Sequence, residues 1–547
     1  MALGTFRPTQ AQRLEPFRWL LTLRIGSRVV RLSTGAPVTV TGNDGDTYVF
    51  DGGLPESNYE QTLDLMASPV SPRSRSFTTT PSYDVAQDVA RGVPLYAGTG
   101  ELAQWYEGTT WEQRRPVLTG AIQEPVYGEA GESLSFALVE DPADDTSSIP
   151  SPALIVEVGV TFSESATLGP DPGIVGVYYP IIVGAPGAAV GVGTSSVELV
   201  SQVPAAPALL VQRHNAGTTL ANHWIMVCAG WAPATAVKIY NATTPTKTFT
   251  ATALVQATDL LGQQYTYVIP TTGNTPTEGD ALYSVWAPTS GGGTRNQSGL
   301  GTLRGAGDVI RWALTQSSVR YDTGRLGELS ALNSYKIDTY INTPTSAWAW
   351  LQANVLPLLP VTVSTGPGGL AIVPRLSRLS NPIHHLEDGR DCARASGAVY
   401  TPSQDVYNAI TINYAPNAET GGMALHNTLD GNGRDPSDTT VTGSYWCQRS
   451  QTVFGRRVLE LDAAVVYDPA TAGAVLRDRA RWHSHPRREI IYSAGRELDW
   501  LRPGDDITLT DSSLHLSRVP GIVGTIGYGA DSLAIQVVLL EPEVFGQ

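Results

Sequence analysis

A chain of 547 residues, 41% apolar and only 16% charged, is long enough for about three to five domains and carries well under the ~25% charge usual in soluble chains. Its net charge of −15 argues against a protein that grips phosphate backbones, but an acidic wall suits a conduit past which a polyanion slides. The 55 glycines and 38 prolines stay below the ~25–30% that signals disorder, and the three scattered cysteines, Cys228, Cys392 and Cys447, match no disulfide framework or zinc spacing.

The glycines and prolines therefore read as turns between many short strands. The cysteines read as small buried residues of a chain made in a reducing cytoplasm. Low surface charge is expected where much of the surface is covered by partner subunits. The opening MALGTFRPTQ lacks the apolar core of a signal peptide, and no run approaches the ~18 apolar residues of a membrane-spanning helix.

In chain order, residues 1–56 form an N-terminal β segment. Trp19, Leu21, Leu23 and Ile25 alternate with polar or oppositely facing positions, and Asn43–Asp44–Gly45 separates two extended runs as a hairpin turn. Residues 57–145 form a second β unit with a short helix expected at 83–91 and a closing strand in which Leu134, Phe136 and Leu138 share a face. The polar stretch 140–150 reads as a linker. From 146 to 303 the composition shifts to Thr, Val, Ala, Gly and Pro, and short strand candidates recur between turns, the pattern of one or two β-sandwich modules. The Gly/Ser-rich 290–298 closes that region as a flexible linker.

Residues 304–404 read as an α+β unit. A helix is predicted from Asp308 as N-cap, a second over 325–332, and a third over 345–356 stopped by Pro357. Two strands follow around the turn at 366–369. From 405 to 547 the chain is β again, interrupted by a helix over 470–482. The fold class is thus mainly β and multidomain.

Candidate chemistry is sparse. His483 and His485 flank the end of the 470–482 helix, and His384 and His385 are adjacent; neither pair has a third ligand near it in sequence, so turn or capping roles are the better reading than metal binding. The glycine-rich runs lack a following Lys–Ser/Thr and are not phosphate loops, and no Gly-x-Ser-x-Gly elbow occurs in a strand–turn–helix setting. Asp144–Asp145 and Asp505–Asp506 are acid pairs of the kind a glycosidase uses, but such an enzyme needs its carboxyls facing each other across a pocket. Trp224, Trp231, Tyr240, Tyr265, Tyr267 and Trp286 would suit a sugar-binding surface; their place inside alternating strands favours core.

The C-terminal third carries a resemblance. The run Asp405–Val406–Tyr407–Asn408–Ala409–Ile410–Thr411–Ile412–Asn413–Tyr414 resembles the strand that opens a barrel in phage tail hub and tail-tip proteins. Phe454–Gly455–Arg456–Arg457, the helix over 470–482, the segment from Leu498 through Pro503–Gly504–Asp505 to Thr510, and a closing hairpin over 523–539 follow in the order of those families. Pro503 fixes φ and Gly504 permits a tight reversal, so Pro503, Gly504 and Asp505 read as a structural turn. The N-terminal part is similar to the first barrel of such hubs and 304–375 to the helix-bearing domain between barrels.

The resemblance implies two tube-like β-barrel domains, at 57–145 and 405–547, with an α+β unit at 304–404 and an inserted β-sandwich-like region at 146–303. It implies a structural role without catalytic residues, cofactor or metal: a ring, as a homotrimer, that joins the tail tube or distal tail protein to tip, fibre or spike proteins and leaves a channel for DNA. The chain would be made in the host cytoplasm and reside in the virion, with no membrane span. The competing expectations are a host-glycan-binding module at 146–303 on a scaffold, or a tail-associated glycan-cleaving enzyme.

Overall fold

The computed structural model describes residues 17–54, 59–62, 74–79, 98–127, 133–139, 145–152, 161–163, 166–170, 176–187, 203–214, 223–229, 237–251, 254–258, 264–270, 273–277, 279–286, 303–366, 369–374, 382–400, 402–431, 441–528 and 532–539. The helix expected at 83–91 and the linker at 290–298 lie outside them.

The N-terminal strands build one eight-stranded sheet. Its spatial order is Val38–Thr41, Thr47–Leu54, Arg28–Thr34, Phe17–Ile25, Thr99–Tyr106, Arg115–Tyr127, Leu134–Val139 and Ser74–Thr79. The division expected at residue 56 therefore falls inside a unit, because Phe17–Ile25 pairs along its whole length with Thr99–Tyr106. The hairpin at Asn43–Asp44–Gly45 forms as the turn chemistry requires: Gly45 takes φ +86°, and Val38 pairs with Phe50. Alternation sends Trp19, Leu21, Leu23 and Ile25 into one core, while Leu20 joins Val40, Phe50 and Trp105 on the other face. Thr47–Leu54 and Ser74–Thr79, from opposite ends of the sheet, touch, so the sheet curls toward a barrel.

A second sheet gathers the C-terminal strands. Its order is His384–Glu387, Asp506–Asp511, Leu516–Tyr528, Leu533–Leu539, Arg488–Ala494 and Cys392–Arg394, with Val399–Tyr400 also on Arg488–Ala494. A bridge between Asp388 and Cys392 links the two ends of that path and closes it on itself. Residues 384–400 thus belong with 488–539, across the boundary expected at 404.

The two sheets share one hydrophobic core. Leu21, Leu23, Phe136 and Leu138 from the first meet Tyr492, Leu501, Ile526 and Ile535 from the second, and Trp19 meets Tyr528 edge to face at 6.1 Å. The second sheet also takes a strand from the N-terminal part of the chain: Tyr59–Thr62 pairs antiparallel with the second half of Leu516–Tyr528.

The middle region is a sandwich. A six-stranded sheet that includes Leu209–His214, His223–Ala229 and Gln264–Val268 contributes Leu210, Ile225 and Val268; a four-stranded sheet contributes Val237, Ile239, Leu282 and Trp286. It is not a free-standing insertion. Tyr179, Ile181, Val183, Leu209, Tyr265 and Tyr267 belong to the same core as the helix Ala306–Gln316. Ile181–Val183 pairs with Thr339–Ile341.

That core also absorbs part of the region assigned above to the C-terminal barrel. Ala409–Pro416, Met423–Asp430, Val441–Gly443 and Val458–Ala463 make a small mixed sheet covered by the helix Pro469–His483, and Ile410, Ile412, Val475 and Leu476 pack with Val309, Trp312 and Leu351. The span 405–547 is therefore two structures, not one barrel. The helix predicted from Asp308 starts earlier. Gly305 is its N-cap, Asp308 lies in its first turn, and the Asn333 side chain accepts the Asp308 N–H at 3.1 Å, doing the work of a cap from outside the helix. The third helix runs Ala347–Trp350, then as one π turn over Leu351–Val355, and ends in a 3₁₀ turn at Leu356–Leu358, where Pro357 stops it.

Candidate functional site

The residues that stand out chemically are those at which separate units meet. Asp338 is fully buried. Its Oδ1 accepts from Arg304 Nε (2.8 Å) and from the backbone N–H of Ala185 (2.7 Å), and its Oδ2 accepts from Arg304 Nη2 (3.0 Å). Its own N–H donates to the carbonyl of Val465 (2.9 Å). One residue therefore ties the sandwich, the helical unit and the small mixed sheet together. A bidentate guanidinium–carboxylate pair fixes angle as well as distance. Gly184, at φ +68°, is needed beside it, since a Cβ there would collide with Asp338 and the Ile337 carbonyl. Sequence reading passed over Asp338: a single Asp between Ile337 and Thr339 carries no spacing signal, and its partners come from distant segments.

A second joint surrounds the Pro503–Gly504–Asp505 turn. Gly504 takes φ +88° and donates its N–H to Val523 (2.8 Å), and Val523 returns a bond to the Asp505 carbonyl (3.0 Å). The Asp505 carboxylate accepts from the Arg502 N–H (2.8 Å) and from Arg325 Nη2 (2.9 Å). Arg502 reaches Asp322 at 3.8 Å, and Arg115 of the first sheet donates to the Leu501 carbonyl (3.2 Å) and the Tyr528 hydroxyl (3.3 Å). The turn thus lies where both sheets and the helical unit converge. Burial pushes the Asp505 carboxyl up against the pull of Arg325, and burial beside Arg115 and Arg325 lowers Arg502.

The end of the expected linker at 140–150 is docked. Asp145 accepts from the N–H groups of Ser147 (3.0 Å), Ser318 (2.9 Å) and Trp348 (2.8 Å). Burial opposes ionisation, but these hydrogen bonds outweigh it and hold the carboxyl at about 2. Ile149 is buried and exchanges backbone bonds with Thr345.

The histidine pairs separate into packing roles. His385 Nδ1 lies 2.9 Å from Thr508 Oγ1, and His384 meets Trp500 edge to face. His483 packs on Tyr407, while His485 lies 3.1 Å from Ser484 Oγ and is pushed down to about 4 by burial and the nearby Arg487. Among the described residues no group of three His, Cys, Asp or Glu side chains is placed to hold a metal ion. Tyr265, Tyr267 and Trp286 are buried in the cores and Tyr240 is half-buried under Lys238, so these aromatics offer no sugar platform; the Trp224 and Trp231 side chains lie outside the described residues. Asp145 and Asp505, one from each acid pair, are committed to the joints.

No protein-family profile matches the chain, and no curated protein matches it. Among solved structures, the tail protein from Neisseria meningitidis MC58 is 8% identical, with 95% of this chain and 96% of that chain covered at a TM-score of 0.36. The 43 kDa tail protein of prophage MuSo2 from Shewanella oneidensis is 9% identical, with 96% and 97% covered at a TM-score of 0.31. A chain of the phage P2 baseplate is 10% identical, with 72% and 97% covered at a TM-score of 0.18. These neighbours are tail and baseplate proteins. Among the described residues of the present chain, no helix is long and apolar enough to cross a membrane.

Proposed function

We propose that this chain is a structural hub of a phage tail, joining the tail tube to the tip or baseplate in the virion and surrounding the path of the DNA. The observation that carries the reading is the pair of curled sheets that share one core, the second of them completed by the N-terminal strand Tyr59–Thr62. Two such domains per chain, taken three at a time, supply the six positions of a hexameric tube, and closed symmetry then defines a homotrimer. The joints at Asp338 and Asp505 support it further, because a connector under load needs its units held at fixed angles. The acidic net charge favours passage of DNA over its retention.

The test is native mass spectrometry of the purified chain, alone and with the cognate tube protein. A trimer, or a complex holding three copies on a tube ring, is expected. A monomer under both conditions would sink the hub reading.

A further inference from the structure

Two stretches of this acidic chain are strongly basic. Residues 445–457 hold three arginines and no acid, and residues 477–488 hold five arginines and one acid, in a protein of net charge −15. The fold brings them together. The Asn408 side chain donates to Ser450 Oγ (3.0 Å) and to the Gly455 carbonyl (2.8 Å) and accepts the Arg457 N–H (2.8 Å), while the N–H of the preceding Tyr407 donates to the His483 carbonyl (2.9 Å). The helices Tyr445–Phe454 and Pro469–His483 thus adjoin, and the Arg481 guanidinium lies 5.2 Å from the Trp446 ring centre.

Several of these arginines are engaged within the chain. Arg479 and Arg487 are buried and donate to the carbonyls of Pro357 and Arg481, and Arg456 pairs with Asp430 at 3.0 Å. Arg477 and Arg481 are exposed, one turn apart on the same side of their helix. Beside them Trp446 and Val453, seven residues apart, share one face of the other helix, and Val453 is 60% exposed. The patch is part cationic and part apolar, and Trp and Arg are the residues in which protein interfaces concentrate their binding energy.

The hairpin Val38–Leu54 has the opposite character. Its Tyr48 and Phe50 face the small core around Trp105, so Thr47, Val49 and Asp51 face out, and all three are exposed, Val49 at 57%. Asp44 and Asp46 stand exposed at its tip. An apolar side chain flanked by carboxylates complements an apolar side chain flanked by guanidiniums. A phosphate backbone would match the guanidiniums but leave Val453 in water. In a ring built head to tail, two different patches of the same chain meet at every contact. We propose, resting on the ring reading above, that the hairpin Val38–Leu54 of one copy docks on the face made by Trp446, Val453, Arg477 and Arg481 of the next.

Sedimentation velocity of the full chain, alone and with the tube protein, tests this. Arg477→Glu/Arg481→Glu and Asp46→Lys/Asp51→Lys each set like charges against one another and should raise the dissociation constant of the assembly roughly tenfold or more. All four side chains are exposed, so the melting temperature should hold. The neutral pairs Arg477→Gln/Arg481→Gln and Asp46→Asn/Asp51→Asn disturb the fold still less and should weaken assembly by a smaller factor. The fourfold variant that carries both reversals restores opposite charges, and its assembly should return. The proposal is overturned, with the ring reading intact, if either folded reversal assembles like the parent or if the folded fourfold variant stays apart. A parent that is monomeric under both conditions overturns the two together. Fluorescence anisotropy with a short DNA duplex adds a further check: duplex binding that Arg477→Glu/Arg481→Glu abolishes, with assembly unchanged, would make this face a nucleic-acid contact and overturn the proposal.

Discussion

Asp338 shows how one buried carboxylate can join three units at a single point. Arg304 shields it on one side and Ala185 caps it on another. Removing one partner of such a pair leaves the other's charge buried and unmatched, which costs about 3–5 kcal/mol. Asp338→Ala should therefore lower the free energy of unfolding by that amount, with Arg304→Met/Asp338→Leu recovering much of it because the charge leaves with its partner; equilibrium urea unfolding separates the two. A second residue-scale effect depends on pH. The folded chain holds His485 at about 4, against 6.5 for a free imidazole, so its neutral form is favoured by folding. Above pH ~6.5 both states are neutral and no slope arises. As pH falls toward ~4 the unfolded chain takes up a proton that the folded chain refuses, and stability falls by about 2–3 kcal/mol from this group. Urea melts at neutral pH and near pH 4.5 should show a smaller loss for His485→Gln than for the parent.

At the scale of elements, local signals and long-range pairing part company. The helix Pro469–His483 was legible because Asp468 caps it, Pro469 opens it and its apolar residues recur on one side. The helix Tyr445–Phe454 has comparable marks, Ser444 accepting from Cys447 and Gly455 at φ +73° beyond its end, but its apolar stripe is short and it escaped notice. The strand Ala409–Pro416 is readable from alternation, whereas the parallel pairing of His384–Glu387 with Asp506–Asp511 is not: a two-residue period fixes which face is buried and says nothing of the neighbour. Pro503–Gly504–Asp505 was readable as a turn, but the reach of Arg325 across to Asp505 was not. Gly504→Val tests the turn as the entry to the strand Asp506–Asp511. A β-branched residue at φ +88° is strained by about 1–3 kcal/mol, and its Cβ would press on Val373, 3.4 Å away. A lower melting temperature is expected; unchanged stability would mean that the backbone there relaxes freely.

For the whole molecule, the shared cores replace the picture of modules on a string. The sequence placed a separable insertion at 146–303 because composition changes at its borders, yet composition reports surface and turn chemistry, not which core a strand's far face enters. Tyr179, Ile181, Leu209, Tyr265 and Tyr267 complete the core around Trp312 and Leu351. Replacing 148–298 by a short Gly/Ser linker would strip that core of large side chains, each worth about 1.5–3 kcal/mol when buried, and leave Arg304–Asp338 short of the Ala185 donor. The shortened chain should be insoluble or lack a cooperative thermal transition in calorimetry. A soluble, cooperatively melting product would restore the modular picture.

The crossing strand Tyr59–Thr62 also sets an order of events during synthesis. Its partner, the second half of Leu516–Tyr528, leaves the ribosome long after it. At roughly 5–20 residues per second, the strand waits on the order of half a minute or longer for its mate. Until then the first sheet can form its hairpins, but Trp19 and the apolar row beside it have no second sheet to close over them. The nascent chain therefore passes through a stage with a sticky, half-covered surface, and the late strands act as a check on completeness: a chain cut short by a premature stop would not present a finished pair of sheets for assembly.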